Sequence, residues 1–293
     1  MKTLSKTTQL FFLLFVSYGS YSQLMPHIGW FQETQLIYNP AYAGTSEEIR
    51  GSVLSRQQWK GIDGAPKSHL LTVDKHLGKG IGAGLSILRD EIGYTKNTNV
   101  SLNLSYRVYL NSTSYIQGGL KAGMSHLASN YSDLEQWDED DPLKVSETVI
   151  VPKIGFGAMY IHKEFFVGFS IPDYIAFDTK GVLPNEDDNK YLRNNYFLTM
   201  GTKFELTEFM SFVPSALIRY YNTRGVNFTL NAAVELNQTI LMGVSYVHPS
   251  VYGVFGKIGI TPRLKVGYRH EISTTIVSVG NFGTGEFLLS YGF

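Results

Sequence analysis

The chain contains no cysteine. That excludes disulfides, cysteine-zinc sites and cysteine nucleophiles, and it is compatible with an oxidising envelope. Charge is sparse and balanced. There are 25 Lys and Arg against 25 Asp and Glu, together 17% of 293 residues, where soluble domains carry roughly 25%. A nucleic-acid binder would show a basic surplus, and this chain has none. Long apolar runs are missing beyond the N-terminus, so no helical transmembrane span is expected. Neither HExxH nor GxSxG occurs, and the seven histidines are scattered. No metalloprotease or serine-hydrolase motif is therefore present, and the chain reads as a non-enzyme without cofactor or metal.

Tyr (19), Phe (18) and Gly (29) are abundant. The N-terminus carries Lys2 and Lys6, then the short apolar core LFFLLFV (Leu10–Val16), then Ser20-Tyr21-Ser22. That order of charge, apolar core and small residues marks a secretory signal peptide over 1–22, with Gln23 opening the mature chain. From about residue 47 the dominant signal is period two. In NVSLNLSYRVYL (Asn99–Leu110), Val100, Leu102, Leu104, Tyr106, Val108 and Leu110 share one face, and Ser101, Asn103, Ser105 and Arg107 share the other. Such alternation is a strand with one apolar and one polar face. It recurs in Gly225–Leu236 and, less cleanly, throughout.

Strands are expected near 47–58, 66–76, 81–90, 99–110, 115–126, 149–161, 165–172, 194–205, 209–220, 226–236, 240–247, 251–260, 264–272 and 286–293. Soluble strands average about 5–6 residues; membrane-spanning ones need roughly 9–11. The even count of fourteen, and short turns alternating with long connections (91–98, 127–148, 173–193, 273–285), fit an outer-membrane barrel with periplasmic turns and external loops. The fold class is thus all-β: a transmembrane barrel of about 14 antiparallel strands over 47–293, preceded by a segment 23–46 that lies in the periplasm or plugs the barrel. The barrel's apolar face meets lipid. Its polar face lines the lumen with Arg107, Lys121, Lys153, Lys203, Arg219, Glu235 and Lys257, charges that need partners or a plug. Gly82, Gly84, Gly119 and Gly155 share this inward parity and leave room. The closing EFLLSYGF ends on Phe293, a terminal aromatic that resembles the signal read by the barrel-assembly machinery.

Three motifs take bland readings. GKGIGAG (Gly78–Gly84) resembles a phosphate loop, but no helix follows to meet an anion. DLEQWDEDD (Asp133–Asp141) and NEDD (Asn185–Asp188) lack the ordered spacing of a calcium loop and read as solvated loop. RQQWKGIDGAP (Arg56–Pro66) has the look of an active-site loop, yet the topology makes it the external connection between strands one and two. Gly61, Gly64 and Asp63 supply the turn and Pro66 starts the next strand. Trp59 there suits either an interfacial aromatic belt or a contact to cargo or plug.

NPAYAG (Asn39–Gly44), RQQWKGIDGAPKSH (Arg56–His69) and IGAGLSILRDEIGYTKNTNVSLNLSYRVYL (Ile81–Leu110) together resemble the PorP/SprF family, outer-membrane components of the type IX secretion system. VPKIGFGAMY, FFVGFSIPDY, PSALIRYY and EFLLSYGF extend the resemblance over the mature chain. Where the family often has Ser-His-Glu before its last strand this chain has Thr284-Gly285-Glu286, and its Tyr-x-Tyr-Asp pattern appears as Tyr268–Glu271, YRHE. The resemblance implies an outer-membrane, non-enzymatic role. It implies partners too: a cargo such as a gliding adhesin, held by its C-terminal sorting domain, and the periplasmic ring and peptidoglycan-binding components of the machine. Candidate partner-binding residues are Arg56, Trp59, Asp63, Pro66, Asn39, Pro40 and Tyr42. Two alternatives stand beside this: a fatty-acid-channel-like transporter of small hydrophobic molecules, and a scaffold tying the outer membrane to the periplasmic ring.

Overall fold

The computed structural model describes residues 25–129, 147–176, 195–221, 225–274 and 283–292. The expected signal peptide, both acidic stretches and Phe293 lie outside them. The strands are β1 (Arg50–Gln57), β2 (Lys67–Gly78), β3 (Ile81–Ile92), β4 (Thr95–Tyr109), β5 (Ser114–Ser129), β6 (Glu147–His162), β7 (Phe165–Ala176), β8 (Asn195–Gly201), β9 (Phe204–Thr207), β10 (Met210–Tyr221), β11 (Gly225–Leu236), β12 (Ile240–Val247), β13 (Val251–Gly259), β14 (Leu264–Ser273) and β15 (Thr284–Gly292). Each pairs antiparallel with its neighbours, and β1 pairs with β15 from Arg50↔Gly292 to Gln57↔Gly285, which closes the sheet. Both β8 and β9 pair with β10 along the same side, so they are two pieces of one strand and the barrel has fourteen staves. Closure leaves no unpaired edge, which the absence of water in a bilayer requires.

The two faces segregate as the alternation demands. Along β4, Leu102, Leu104, Tyr106 and Val108 are 52–63% exposed, whereas Ser101, Asn103, Ser105 and Arg107 are at most 6% exposed. Aromatic rings form rows on the outward face toward the long-loop end: Phe169–Tyr196–Tyr220 across β7, β8 and β10, and Phe228–Tyr246–Tyr252 across β11 to β13, with centroids 5.2–6.2 Å apart. That is where a barrel meets the headgroups.

One expectation is corrected. The stretch 91–98 is not a long loop: β3 and β4 stay paired out to Ile92↔Thr95 and turn at Gly93-Tyr94. Beyond lipid depth both faces of a strand are wet, so the residues EIGYTKNT carry no apolar alternation to betray it.

Before β1, residues 25–46 run from the long-loop end to the short-turn end against the barrel's inward face. They hold a one-turn helix, α1 (Gln35–Tyr38), and a 3-10 turn at Pro40–Tyr42. Asn39 caps the latter, its Oδ1 accepting from Ala41 N at 2.9 Å, with Pro40 at the first position. Pro loses nothing where the helix has no use for its N–H.

The lipid-facing assignment has a direct test. Leu104→Arg is expected to cost about 2–4 kcal/mol of barrel stability if Leu104 lies near the bilayer midplane, read by urea unfolding in vesicles. The inward substitution Asn103→Ser should cost less.

Candidate functional site

The inward face is polar; some of its groups pair across the wall, as Lys121 and Lys153 do with Asp173, and others are taken up by residues 25–46. At the short-turn end, the NPAYAG stretch is laced to β2–β7. Asn39 Nδ2 donates to Ala158 O (3.2 Å), and Ser105 Oγ and Gln117 Nε2 donate to Ala43 O (2.6 Å each). Arg107 Nη2 donates to Gly44 O (2.7 Å), while Gly44 N donates to Asp74 Oδ2 (2.8 Å). Arg50 joins Asp74, Tyr42 and Thr45 at 2.7–2.8 Å. Gly44 has φ +66, and a Cβ there would stand 2.6 Å from Gly82 Cα and 2.7 Å from Lys75 O. Only glycine suits that backbone and that gap. Gly82 and Gly119 likewise make room for the backbone of Ala43 and of Pro40–Ala41, and Gly84 for Leu36; Gly155 instead meets Pro172 of β7.

In mid-barrel, Glu33 pairs with Lys257 of β13. Trp30 packs edge-on to Phe255 (5.3 Å) above Gly267. Ile28, Phe31, Ile37 and Tyr38 are 0–2% exposed and join inward Leu54, Leu70, Phe197 and Leu217 in one apolar cluster.

Toward the long-loop end lies a buried charge cluster. Glu286 (β15) accepts from Gly29 N at 2.9 Å and Trp30 N at 3.3 Å and pairs with Arg56 of β1. Glu271 (β14) pairs with Arg56 at 3.0 Å and with Arg269 at 2.8 Å, and Arg269 donates to Gly29 O at 3.0 Å. His27 bridges two barrel walls: its Nδ1 meets Arg219 Nη1 at 2.9 Å and its Nε2 meets Glu271 Oε1 at 3.4 Å. A guanidinium has only donors, so Nδ1 accepts and the proton sits on Nε2. His27 is thereby assigned as the neutral tautomer that links Arg219 to Glu271. Above the cluster a cavity of about 570 Å³ opens, its wall including Met25, His27, Trp59, Pro66, Arg219 and His248. Among the described residues no group of His, Asp and Glu is arranged to hold a metal ion.

A family model described as type IX secretion system membrane protein PorP/SprF matches residues 20–291. The chain belongs to the PorP/SprF family. It is therefore a type IX secretion membrane component with an outer-membrane barrel. Solved structures agree on the barrel alone. CymD, a monoaromatic hydrocarbon channel, is similar at 11% identity and TM-score 0.51, over 88% of this chain and 92% of that one. The outer-membrane protein Omp33 of Acinetobacter baumannii is 11% identical with TM-score 0.47, over 85% of this chain and all of the other. A comparison with curated proteins returns no match.

The candidate residues separate into two groups in this PorP/SprF barrel. Asn39 and Pro40 are fully buried in the lumen and Tyr42 half-buried there, all toward the short-turn end. At the other end, Trp59 and Pro66 line the cavity and only Asp63 is fully exposed. Arg56, 6% exposed, is consumed by Glu271 and Glu286. His27, Arg219, Arg269, Glu271 and Glu286 had not been singled out as a site. The signal for part of it was register: Glu286 stands directly opposite both Arg56 and Arg269 on its two neighbouring strands.

Glu286→Ala strips the Gly29 and Trp30 amides and the Arg56 guanidinium of their shared carboxylate. The expected cost is about 3–5 kcal/mol, the range for breaking a buried pair from one side. Hydrogen exchange should speed up at the amides of Gly29 and Trp30 while that of Gly44, held by Asp74, stays protected.

Proposed function

We propose that this barrel is a non-enzymatic holder of type IX cargo: its external rim grips the C-terminal sorting domain of an exported adhesin, and residues 25–46 seal the lumen beneath. The observation that carries the reading is the dense lacing of that segment to the inward face, from Gly29 on Glu286 to Gly44 on Asp74. A barrel whose interior polar groups are spent on its own chain is suited to binding at its ends rather than to conducting. Among the described residues of the external end, the 58–66 loop has Lys60, Ile62 and Asp63 exposed. Asp63, Trp59 and Pro66 are the rim residues nearest a partner; Asn39, Pro40 and Tyr42 act indirectly, by seating the plug.

The hydrophobic-transporter alternative needs an oily passage past residues 25–46. The walls there carry Arg107, Gln117, Asp74 and Glu286, which weighs against it. The scaffold alternative places the contacts to the periplasmic ring at the N-terminal segment and the short turns, not the outer loops. A photo-crosslinker at Asp63 is expected to trap adhesin, and one at Lys163, exposed in the β6–β7 turn, to trap periplasmic components only. Periplasmic components captured from Lys163 with no adhesin captured from Asp63 would favour the scaffold. Normal surface levels of every type IX cargo after gene deletion would sink the holder reading.

A further inference from the structure

Three inward guanidiniums, Arg56, Arg219 and Arg269, surround two carboxylates, Glu271 and Glu286. The carboxylates are spent on Arg56 and Arg269. Arg219 of β10 is 3% exposed, and no carboxylate among the described residues comes within ion-pair distance of it. Its partners are neutral: His27 Nδ1 at 2.9 Å, Asn227 Oδ1 at 2.6 Å and Thr229 Oγ1 at 3.2 Å, with Nε finding no acceptor. Asp90, the other carboxylate in the cavity wall, belongs to β3, across the barrel from β10, and accepts from Ser68 Oγ at 2.6 Å. Burying a cation without a counter-charge is costly unless an anion is supplied.

The anion has a place to come from. Arg219 lies in the wall of the cavity of about 570 Å³ at the long-loop end, a volume ordinary for a ligand site. The same wall carries Tyr221, Val247 and Val251, next to the polar Asn227 and His248. Of residues 25–46, the partner of Arg219 is the neutral imidazole of His27, which brings no counter-charge. A guanidinium sharing a wall with Tyr221, Val247 and Val251 selects for a carboxylate attached to an apolar body.

We propose that this outer cavity binds such a carboxylate at Arg219, with the apolar portion lying along Tyr221, Val247 and Val251. Two sources share that chemistry: the C-terminus of a polypeptide ending in an apolar residue, and a free aliphatic acid. The site stands independently of the cargo-holding reading, although the first source would join the two.

Calorimetry on the full-length protein in detergent, with two matched pairs of probes, tests it. N-acetylphenylalanine and its amide represent the peptide end; octanoate and octanamide represent the aliphatic acid. At least one acid is expected to bind tenfold or more tighter than its amide, and the pair with the larger ratio identifies the source. Arg219→Gln should abolish that preference, and Arg219→Lys should keep part of it. Equal binding of acid and amide on the unmodified protein overturns the proposal whether or not the variants fold. So does an acid preference that survives in folded Arg219→Gln. Surface display of adhesin in Arg219→Gln cells is read separately, so loss of the cargo reading and loss of the carboxylate site are distinguishable.

Discussion

The Glu286 carboxylate is the point on which the rest of the barrel turns. It sits on the last strand, faces Arg56 on the first, and accepts the amides of Gly29 and Trp30. One buried anion thus ties together the seam that closes the sheet and the segment that fills it. A closed barrel brings a ring of polar side chains into a space with little water, and each must find a partner or bear the desolvation cost. A number of them do so through residues 25–46, among them Asp74, Ser105, Arg107, Gln117, Lys257 and Glu286, so closing the sheet and seating the segment draw on shared groups. Removing either leaves buried charge behind.

Room for this arrangement comes from the inward glycines. Where the segment's backbone runs against the wall, at Ala41 and Ala43, the wall presents Gly119 and Gly82, and where the Asn39 side chain meets it, Gly157 and Gly168. Where the segment instead offers large side chains, the wall answers with apolar or cationic ones: Trp30 on Phe255, Tyr38 on Phe197, Glu33 on Lys257. Along these contacts the segment and the inward side chains of the strands pack as a core does.

The barrel was legible because lipid imposes a strict period of two, and Val100–Leu110 and Val226–Leu236 carry it without interruption. It stopped being legible where lipid ends. The paired ends of β3 and β4 at Ile92 and Thr95 are polar on both faces, and periodicity has nothing to report there. NPAYAG was visible as a motif, but its setting was not, since Gly44 and Asp74 are thirty residues apart and meet only once the sheet is closed. The charge cluster drew on positions 27, 56, 219, 269, 271 and 286, each an unremarkable inward residue alone. Strand register would have matched Glu286 to Arg56 and Arg269. Nothing in the linear pattern would have brought His27 to Arg219.

The RQQWKGIDGAP loop shows how the two ends of the molecule differ. Its turn uses Gly61 at φ +99 and Gly64 at φ +71, as glycines permit, but Trp59 also sits at φ +46. For a bulky residue that left-handed backbone costs on the order of 1–2 kcal/mol and persists only where the surroundings over-determine it. They do so here. Gln58 N is held by Pro66 O, Lys60 N reaches Gly283 O beyond the seam, and Ile62 N returns to Trp59 O. An aromatic needed only for the lipid interface would require no such constraint. The constraint instead goes with Trp59 lining the outer cavity beside Pro66 and opposite Arg219 and Asn227. The short-turn end is spent on holding the segment in place, whereas the long-loop end keeps a strained tryptophan and a buried guanidinium facing open space.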